Sequence, residues 1–199
     1  MKNATYTSVG SQKENIIFLD IDGVLNGYNK WHLLLWKLVS LTNSKRLKRL
    51  HRKLFDPCGV HESKVRRLAK IVRATNAKVV MSSSWRFGWW NTPYEKQWED
   101  QRKLTDLLRK YQIEVIDITP DLSNQGRDKE ITEWIETHKD MVKRFVILDD
   151  ERSELECFVG THLVQTSSVG PGQIIKGHDS ENTGLKNKHI KQAIKILSK

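Results

Sequence analysis

The chain has 199 residues, of which 38% are hydrophobic and 29% charged, as in an ordinary soluble protein. It has no apolar run long enough to span a membrane, no internal repeat and no low-complexity tract. The formal net charge of +10 is uneven, because eight basic residues and no acidic one lie between Gly27 and Lys53. This local excess predicts an anionic partner for one part of the surface.

The two ends of the chain and its cysteines set the expected organisation. Residues 1–14 are polar and lack the apolar core of a signal peptide, so we expect a disordered leader on a cytoplasmic protein. Residues 15–199 are expected to form a single domain. Cys58 and Cys157 lack the spacing of a metal site, and we expect them to be free, buried thiols.

The first predicted strand, Ile16 to Leu19, is a continuous apolar run that ends at Asp20. Such a run is typical of a strand buried on both faces of a parallel sheet. It would deliver Asp20 and Asp22 to the carboxyl edge of the sheet, where open α/β folds bind their ligands. A solvated turn is the common alternative for such a pair. Two carboxylates so close together repel each other, however, and predict a bound cation.

Residues 27–59 predict a small helical insertion that is rich in tryptophan and basic residues. Thr42-Asn43-Ser44 divides it into two short helices and is suited to capping the second. Asp56-Pro57-Cys58-Gly59 predicts a closing turn. The apolar residues at helical spacing are Trp31, Leu34, Leu35, Leu38, Leu47 and Leu50.

The rest of the chain alternates between amphipathic helices and short apolar strands. The predicted helices are His61–Ala74, Tyr94–Tyr111, Lys129–His138 with Asp128 as its N-cap, and a last helix near the end of the chain. The helix Tyr94–Tyr111 has Trp98, Leu104, Leu107 and Leu108 on its apolar face. The last helix buries Ile190, Ala193, Ile194 and Leu197. The predicted strands are Lys78–Met81, Glu114–Ile118, Arg144–Leu148 and His162–Thr166. This order predicts a three-layer α/β/α sandwich around a five-stranded, mainly parallel, Rossmann-like sheet with a small helical cap.

Three of the five predicted strands end in polar residues that could process a phosphate. These residues are Asp20 and Asp22, Ser82 and Ser83, and Asp149 and Asp150. Because the carboxyl ends of parallel strands meet at one edge of the sheet, we expect the three groups to converge.

These motifs resemble those of the haloacid dehalogenase-like (HAD) hydrolases. Residues 18–25, Phe-Leu-Asp-Ile-Asp-Gly-Val-Leu, resemble the first motif, and Val79-Val-Met-Ser-Ser83 resembles the second. Arg127 or Lys129 matches the basic third motif, and Ile147-Leu-Asp-Asp150 the acidic fourth.

Three further segments resemble one branch of this superfamily, which includes the HAD domains of RNA-repair proteins and polynucleotide-kinase phosphatase modules. They are Ser82-Ser-Ser-Trp-Arg86, Gly126-Arg-Asp-Lys-Glu-Ile131, and Leu163-Val-Gln-Thr166 with Gly184-Leu185.

The resemblance implies a Mg²⁺-dependent phosphatase. Asp20 would attack phosphorus and form an aspartyl-phosphate, and Asp22 would act as general acid and base. Asp20, the backbone carbonyl of Asp22, Asp149 and Asp150 would hold the metal ion. Ser82 or Ser83 would donate to a phosphoryl oxygen, and Arg127 or Lys129 would supply the positive charge.

The choice within each pair stays open in the sequence. Counting from the strand favours Ser82, whereas counting back from Trp85 favours Ser83. Arg127 precedes the predicted N-cap and Lys129 lies in the first turn. Arg127 is favoured, although Lys is the commoner residue in the superfamily. The fourth motif also departs from the longer pattern, because no further Asp follows Asp150 at the usual spacing.

The aromatic loop and the basic insertion each allow more than one interpretation. Trp85, Trp89 and Trp90 could stack nucleobases or pack on the sheet edge, and Arg86 could contact phosphate or form a surface ion pair. The insertion could bind a nucleic-acid end, pack on the domain, or lie on a membrane surface without stable insertion. Nucleic-acid contact is expected from Lys45, Arg46, Lys48 and Arg49. The alternatives in function are a small-metabolite phosphatase and a non-catalytic nucleic-acid-binding relative.

Overall fold

The computed structural model describes residues 13–26, 38–42, 44–54, 59–122, 124–166 and 184–199. They contain a five-stranded sheet in the order β3-β2-β1-β4-β5, and every neighbouring pair is parallel. The strands are β1 (Glu14–Leu19), β2 (Lys78–Met81), β3 (Val115–Ile118), β4 (Val142–Asp149) and β5 (Leu163–Gln165). The predicted parallel sheet is confirmed.

Helices connect these strands and cover the sheet. They are α1 (Lys45–Leu54), α2 (Glu62–Thr75), α3 (Glu99–Lys110), α4 (Arg127–Thr137) and α5 (Asn187–Ser198), with 3₁₀ turns at Ser84–Arg86, Tyr94–Lys96 and Ser153–Phe158. Residues 38–42 are also helical. None of the helices in the described ranges combines the length and apolar character needed to cross a bilayer.

The central strand β1 shows why both faces of the sheet are covered. Successive side chains of a strand point to opposite faces, so Ile17 and Leu19 lie in one core cluster and Ile16 and Phe18 in the other. The first cluster includes apolar residues of α2, α3 and α5, and the second includes Ile131 and Trp134 of α4. The three-layer sandwich is therefore confirmed.

The basic insertion is described only in part. Residues 27–37, 43 and 55–58 lie outside the described residues, and so do the predicted helix around Trp31 and the closing turn. Residues 1–12, most of the predicted leader, also lie outside them. In the described part the Ser44 hydroxyl accepts a hydrogen bond from the Leu47 backbone N–H at 3.3 Å, which confirms Ser44 as a capping residue of α1.

The predicted start of two helices is wrong. Trp98 is the N-cap of α3, which begins at Glu99, and its side chain is 79% exposed instead of facing the core. Because it lies outside the helix, its spacing from Leu104 does not fix the direction of its ring. Gly126, with φ +93°, is the N-cap of α4, so Arg127 is the first helical residue and Asp128 is not the cap.

The prediction for the cysteines is tested only at Cys157, where the thiol is free, as expected, but is not buried. Cys157 is a free but exposed thiol in the 3₁₀ turn Ser153–Phe158. Only Leu155 of that turn is buried, because the short turn lies on the surface with a single residue directed into the core. Cys58 lies outside the described residues.

Candidate active site

The strand register brings the polar residues at the strand ends to one edge of the sheet. Leu19 at the end of β1 pairs with Met81 of β2 and with Leu148 of β4. The backbone N–H of Asp20 donates to Leu148 O at 3.0 Å, and that of Ser82 donates to Leu19 O at 2.9 Å. The residues that follow β1, β2 and β4 therefore leave the sheet side by side at its carboxyl edge.

Three carboxylates meet at this edge. Asp20, Asp149 and Asp150 each offer an oxygen atom, and the three atoms lie within 4.8 Å of one another. Burial and the neighbouring Asp149 carboxylate raise the pKa of Asp20 to about 7, against the opposing effect of Arg127. Burial also raises the pKa of Asp149. The group therefore carries negative charge that the described protein groups compensate only in part.

Arg127 is the cation closest to these carboxylates in the described structure. Its Nη1 lies 2.5 Å from Asp149 Oδ2 and 3.3 Å from Asp20 Oδ1. Although burial opposes the charged form, the carboxylates of Asp149 and Asp20 raise the pKa of Arg127 above its ordinary value. Lys129, the alternative from the sequence, has a side chain that is 60% exposed and pairs with Asp128 at 3.7 Å. The structure therefore joins Arg127, and not Lys129, to the acidic group.

The two serines at the end of β2 differ in their contacts. The Ser83 hydroxyl lies near enough to the Asp20 carboxylate to oppose the rise in its pKa, and it accepts from the Trp85 backbone N–H at 3.4 Å. The Ser82 hydroxyl is buried and has no hydrogen-bond partner among the described residues. The geometry thus places the Ser83 hydroxyl at the carboxylate that is expected to attack phosphorus.

Asp22 lies apart from the group of three carboxylates and is held by two side chains. Asn26 Nδ2 donates to Asp22 Oδ1 at 2.6 Å, and the indole N–H of Trp85 donates to Asp22 Oδ2 at 3.1 Å. The Asn26 side chain in turn accepts from the Gly23 backbone N–H at 2.8 Å. The Asp22 carboxylate is exposed, as a group that exchanges protons with a substrate and water must be. Sequence reasoning missed Asn26, whose only signal is its position four residues after Asp22.

Gly23 allows Asp150 to lie against the loop that carries Asp20 and Asp22. Its φ is +65°, and a Cβ built on it would overlap the carboxylate of Asp150. The Gly23 carbonyl also accepts from the Thr166 hydroxyl at 2.7 Å, a contact that the sequence did not predict. The glycine of the first motif is therefore required by its backbone conformation and by the space that Asp150 occupies.

Arg86 is buried beneath the site, so the expected surface ion pair is wrong. Its Nη1 donates to the carbonyls of Ser82 and Ser83, each at 3.1 Å, and its Nη2 donates to Glu130 at 2.7 Å. The side chains of Arg86 and Glu130 are only 4% and 6% exposed. The pair links the loop after β2 to the helix that carries Arg127.

The acidic group fits a divalent metal ion. Carboxylate oxygens are the hard ligands that Mg²⁺ prefers, and three of them converge here on one point. Asp20, Asp149 and Asp150 are the residues that would hold the ion, with the Asp22 carbonyl as a further expected ligand. A bound Mg²⁺ supplies charge that neutralises the phosphate and the carboxylates as they approach.

Comparison with known families agrees with this geometry. The family model described as the HAD domain in Swiss Army Knife RNA repair proteins matches residues 16–170, more than three quarters of the chain. The match begins within β1 and runs past β5, and it includes every site residue discussed above. The searches of curated proteins and of solved structures returned no match.

Proposed function

The chain belongs to the family of HAD domains in Swiss Army Knife RNA repair proteins, and on that premise we propose that it is a Mg²⁺-dependent phosphatase. The observation that carries the proposal is the meeting of Asp20, Asp149 and Asp150 within 4.8 Å, with Arg127 3.3 Å from Asp20 and the Ser83 hydroxyl near enough to affect the pKa of Asp20. A nucleophilic carboxylate, a metal-binding acidic group and two donors to phosphate are the parts that phosphomonoester hydrolysis needs.

The proposed reaction has two steps. An oxygen of Asp20 attacks phosphorus, the bond from phosphorus to the leaving oxygen breaks, and Asp22 gives that oxygen its proton. In the second step Asp22 takes a proton from a water molecule that attacks the aspartyl-phosphate, which releases inorganic phosphate and restores the Asp20 carboxylate. The hydrogen bonds from Asn26 and Trp85 hold Asp22 in place for both transfers.

Arg127 and Ser83 are the proposed phosphate-binding groups. Arg127 Nη1 lies 3.3 Å from Asp20 Oδ1. The other N–H groups of its guanidinium can therefore donate to an oxygen of a phosphoryl group that is bonded to Asp20. The Ser83 hydroxyl can turn from Asp20 to the same phosphoryl group. Ser82 and Lys129 remain the alternative phosphate-binding groups, and alanine variants of all four residues would distinguish them.

The proposed substrate is a phosphorylated nucleotide or nucleic-acid end, processed in the cytoplasm as part of nucleic-acid repair. Its support is the surface of α1, where Lys45, Arg46, Lys48 and Arg49 are all exposed. Leu38 and Leu50 of the insertion are 45% and 43% exposed, whereas Val39 is buried. A cationic helix that is not part of the core suits a polyanionic substrate. A small phosphometabolite is the second candidate.

A substrate panel tests this proposal. Phosphate release is measured on oligonucleotides with 3′- or 5′-phosphates, on mononucleotides and on sugar phosphates, each with Mg²⁺ and with a chelator. We expect Mg²⁺-dependent release that is fastest on the nucleotide substrates. Preference for sugar phosphates would select the second candidate. Salt-sensitive oligonucleotide binding without any phosphate release would instead select the non-catalytic nucleic-acid-binding relative.

The role of α1 has a separate test. Charge reversal at Arg46, Lys48 and Arg49 is expected to raise the KM for an oligonucleotide and to reduce its dependence on salt, because fewer phosphate contacts release fewer counterions. Hydrolysis of a small aryl phosphate is the control and should not change. Sedimentation with anionic vesicles that the same variant abolishes would instead support a membrane-surface role.

A further inference from the structure

A cavity with aromatic walls is lined in part by Trp85, which donates a hydrogen bond to Asp22. It has a volume of about 500 Å³, and its described lining includes Trp85, Phe87 and Trp98. Phe87 is 50% and Trp98 79% exposed. A single exposed aromatic residue is common on protein surfaces. A group of exposed aromatic rings around one cavity is uncommon and indicates a binding surface.

Trp85 joins this cavity to the reacting groups. Its ring lines the cavity, and its indole N–H donates to Asp22 Oδ2 at 3.1 Å. Asp22 is the residue proposed to protonate the leaving oxygen, so that oxygen has to lie within hydrogen-bond distance of the carboxylate. The part of the substrate attached to the leaving oxygen therefore begins next to Trp85, at the entrance of the cavity.

The charge of the cavity indicates which part of a substrate it accepts. Its described lining includes the acidic residues Glu99 and Asp100 and no basic residue. Such a lining repels phosphate groups, whereas carboxylates accept hydrogen bonds from the amino and ring N–H groups of nucleobases. Aromatic walls stack on any base, because every base has a flat π-surface.

We propose that this cavity is the leaving-group subsite and that it binds the nucleobase of the terminal nucleotide, the one that carries the phosphate. The inference rests on the proposed function, since it takes Asp22 as the acid that faces the leaving group. Phe87 and Trp98 stack on the base, and Trp85 both positions Asp22 and forms the inner wall. The phosphates of the adjoining nucleotides lie outside the cavity, away from Glu99 and Asp100.

The test compares two substrates that differ only in the base. One is an oligonucleotide with a terminal phosphate, and the other is the same oligonucleotide with an abasic terminal nucleotide. Wild-type protein is expected to hydrolyse the first with a kcat/KM about 10-fold higher, the size expected for one stacked base. Trp98→Ala should remove this preference, mainly through KM, and leave hydrolysis of the abasic substrate unchanged.

Two variants serve as controls. Trp98→Phe keeps a stacking ring and should keep most of the preference. Tyr94→Ala removes an aromatic side chain that is 40% exposed but does not line the cavity, and it should keep the full preference. Thermal unfolding of each variant checks that the exposed positions leave the fold intact.

The outcomes separate this inference from the proposed function. Hydrolysis of both substrates with equal kcat/KM, or an equal loss on both in Trp98→Ala, would overturn the base subsite and leave the phosphatase standing. An absence of phosphate release from every substrate in the panel would overturn the proposed function, and the subsite with it.

Discussion

Arg86 Nη2 lies 2.7 Å from Glu130 Oε1 beneath the site, and both side chains are almost completely buried. Arg86 also binds the carbonyls of Ser82 and Ser83, while Glu130 lies one helical turn after Arg127. Glu130 further accepts from the Leu122 backbone N–H at 3.2 Å. The pair therefore sets the distance between the serines and the arginine that are proposed to bind phosphate.

Glu130→Gln should destabilise the protein and slow catalysis. Removing one partner of a buried ion pair leaves an uncompensated charge and costs about 3 kcal/mol or more. Urea denaturation measures the loss in free energy of unfolding, and kcat on an aryl phosphate measures the effect on the site. Lys110→Gln breaks the Lys110–Glu62 pair, which lies on the surface, and serves as the control with stability and kcat nearly unchanged. Equal effects of the two substitutions would contradict a special role for the buried pair.

Gly23→Ala should abolish phosphatase activity because it displaces Asp150. Gly160 has a similar φ of +77° but no atom within 4 Å of a Cβ built there, so Gly160→Ala tests the backbone strain alone. Both variants should lose stability, by about 1–2 kcal/mol from an alanine in the left-handed region. Only Gly23→Ala should also lose activity and weaken Mg²⁺ binding, measured by calorimetry. A Gly23→Ala protein with normal metal affinity and turnover would show that the Asp150 carboxylate can adopt another position without loss of function.

Trp85→Phe should slow the hydrolysis of substrates with poor leaving groups. The substitution keeps a ring but removes the N–H that donates to Asp22 at 3.1 Å. Alkyl phosphates need a proton on the leaving oxygen, and a positioned general acid contributes about 100-fold or more to such reactions. We expect kcat to fall about 10-fold or more on an alkyl phosphate and to change little on p-nitrophenyl phosphate, whose leaving group needs no proton. An equal fall on both substrates would count against this role of Trp85.

His189 should make the stability depend on pH in a defined window. Its side chain is buried at the start of α5, where Nδ1 accepts from the Lys186 backbone N–H at 3.1 Å. Burial, with a smaller effect from Lys188 and Lys186, lowers the pKa of His189 from 6.5 to about 4. The unfolded chain therefore binds this proton more readily than the folded one. The contribution of neutral His189 to the free energy of unfolding is complete above about pH 6.5 and falls as the pH is lowered towards 4.

His189→Gln tests this assignment. Glutamine at the third helical position can still accept from the N-cap backbone N–H, but it does not titrate. Urea denaturation of both proteins at pH 7, 6 and 5 should show a smaller loss of stability in the variant. Parallel losses would mean that other groups cause the acid sensitivity.

The parts of the fold that the sequence predicted well are those set by burial. Ile16 to Leu19 form a continuous apolar run, and only a central strand buries such a run on both faces. The predicted bounds of β2 agree with the structure residue for residue, because Asn76 ends the preceding helix and Ser82 ends the apolar run. The acidic residues at the strand ends followed from the same reasoning, since their place at the sheet edge depends only on where each strand stops.

The rest depended on contacts that a linear pattern does not contain. A charged residue is solvated by default, and nothing near Arg86 in the sequence shows that the Ser82 and Ser83 carbonyls and Glu130 will surround it. The choice between Ser82 and Ser83 depends on which hydroxyl reaches Asp20, and that is decided by the path of the chain after β2. Trp98 was assigned to the core because tryptophan is apolar, whereas the 3₁₀ turn before α3 leaves it at the surface.

The most direct test of the account is phosphate release from an aryl phosphate by Asp20→Asn. The amide cannot attack phosphorus, and it removes a carboxylate that is buried beside Asp149, so the fold should be kept or slightly stabilised. We predict no Mg²⁺-dependent phosphate release above background from a variant whose thermal unfolding is as cooperative as that of the wild-type protein. Wild-type turnover by the folded variant would show that Asp20 is not the nucleophile and would contradict the proposed mechanism.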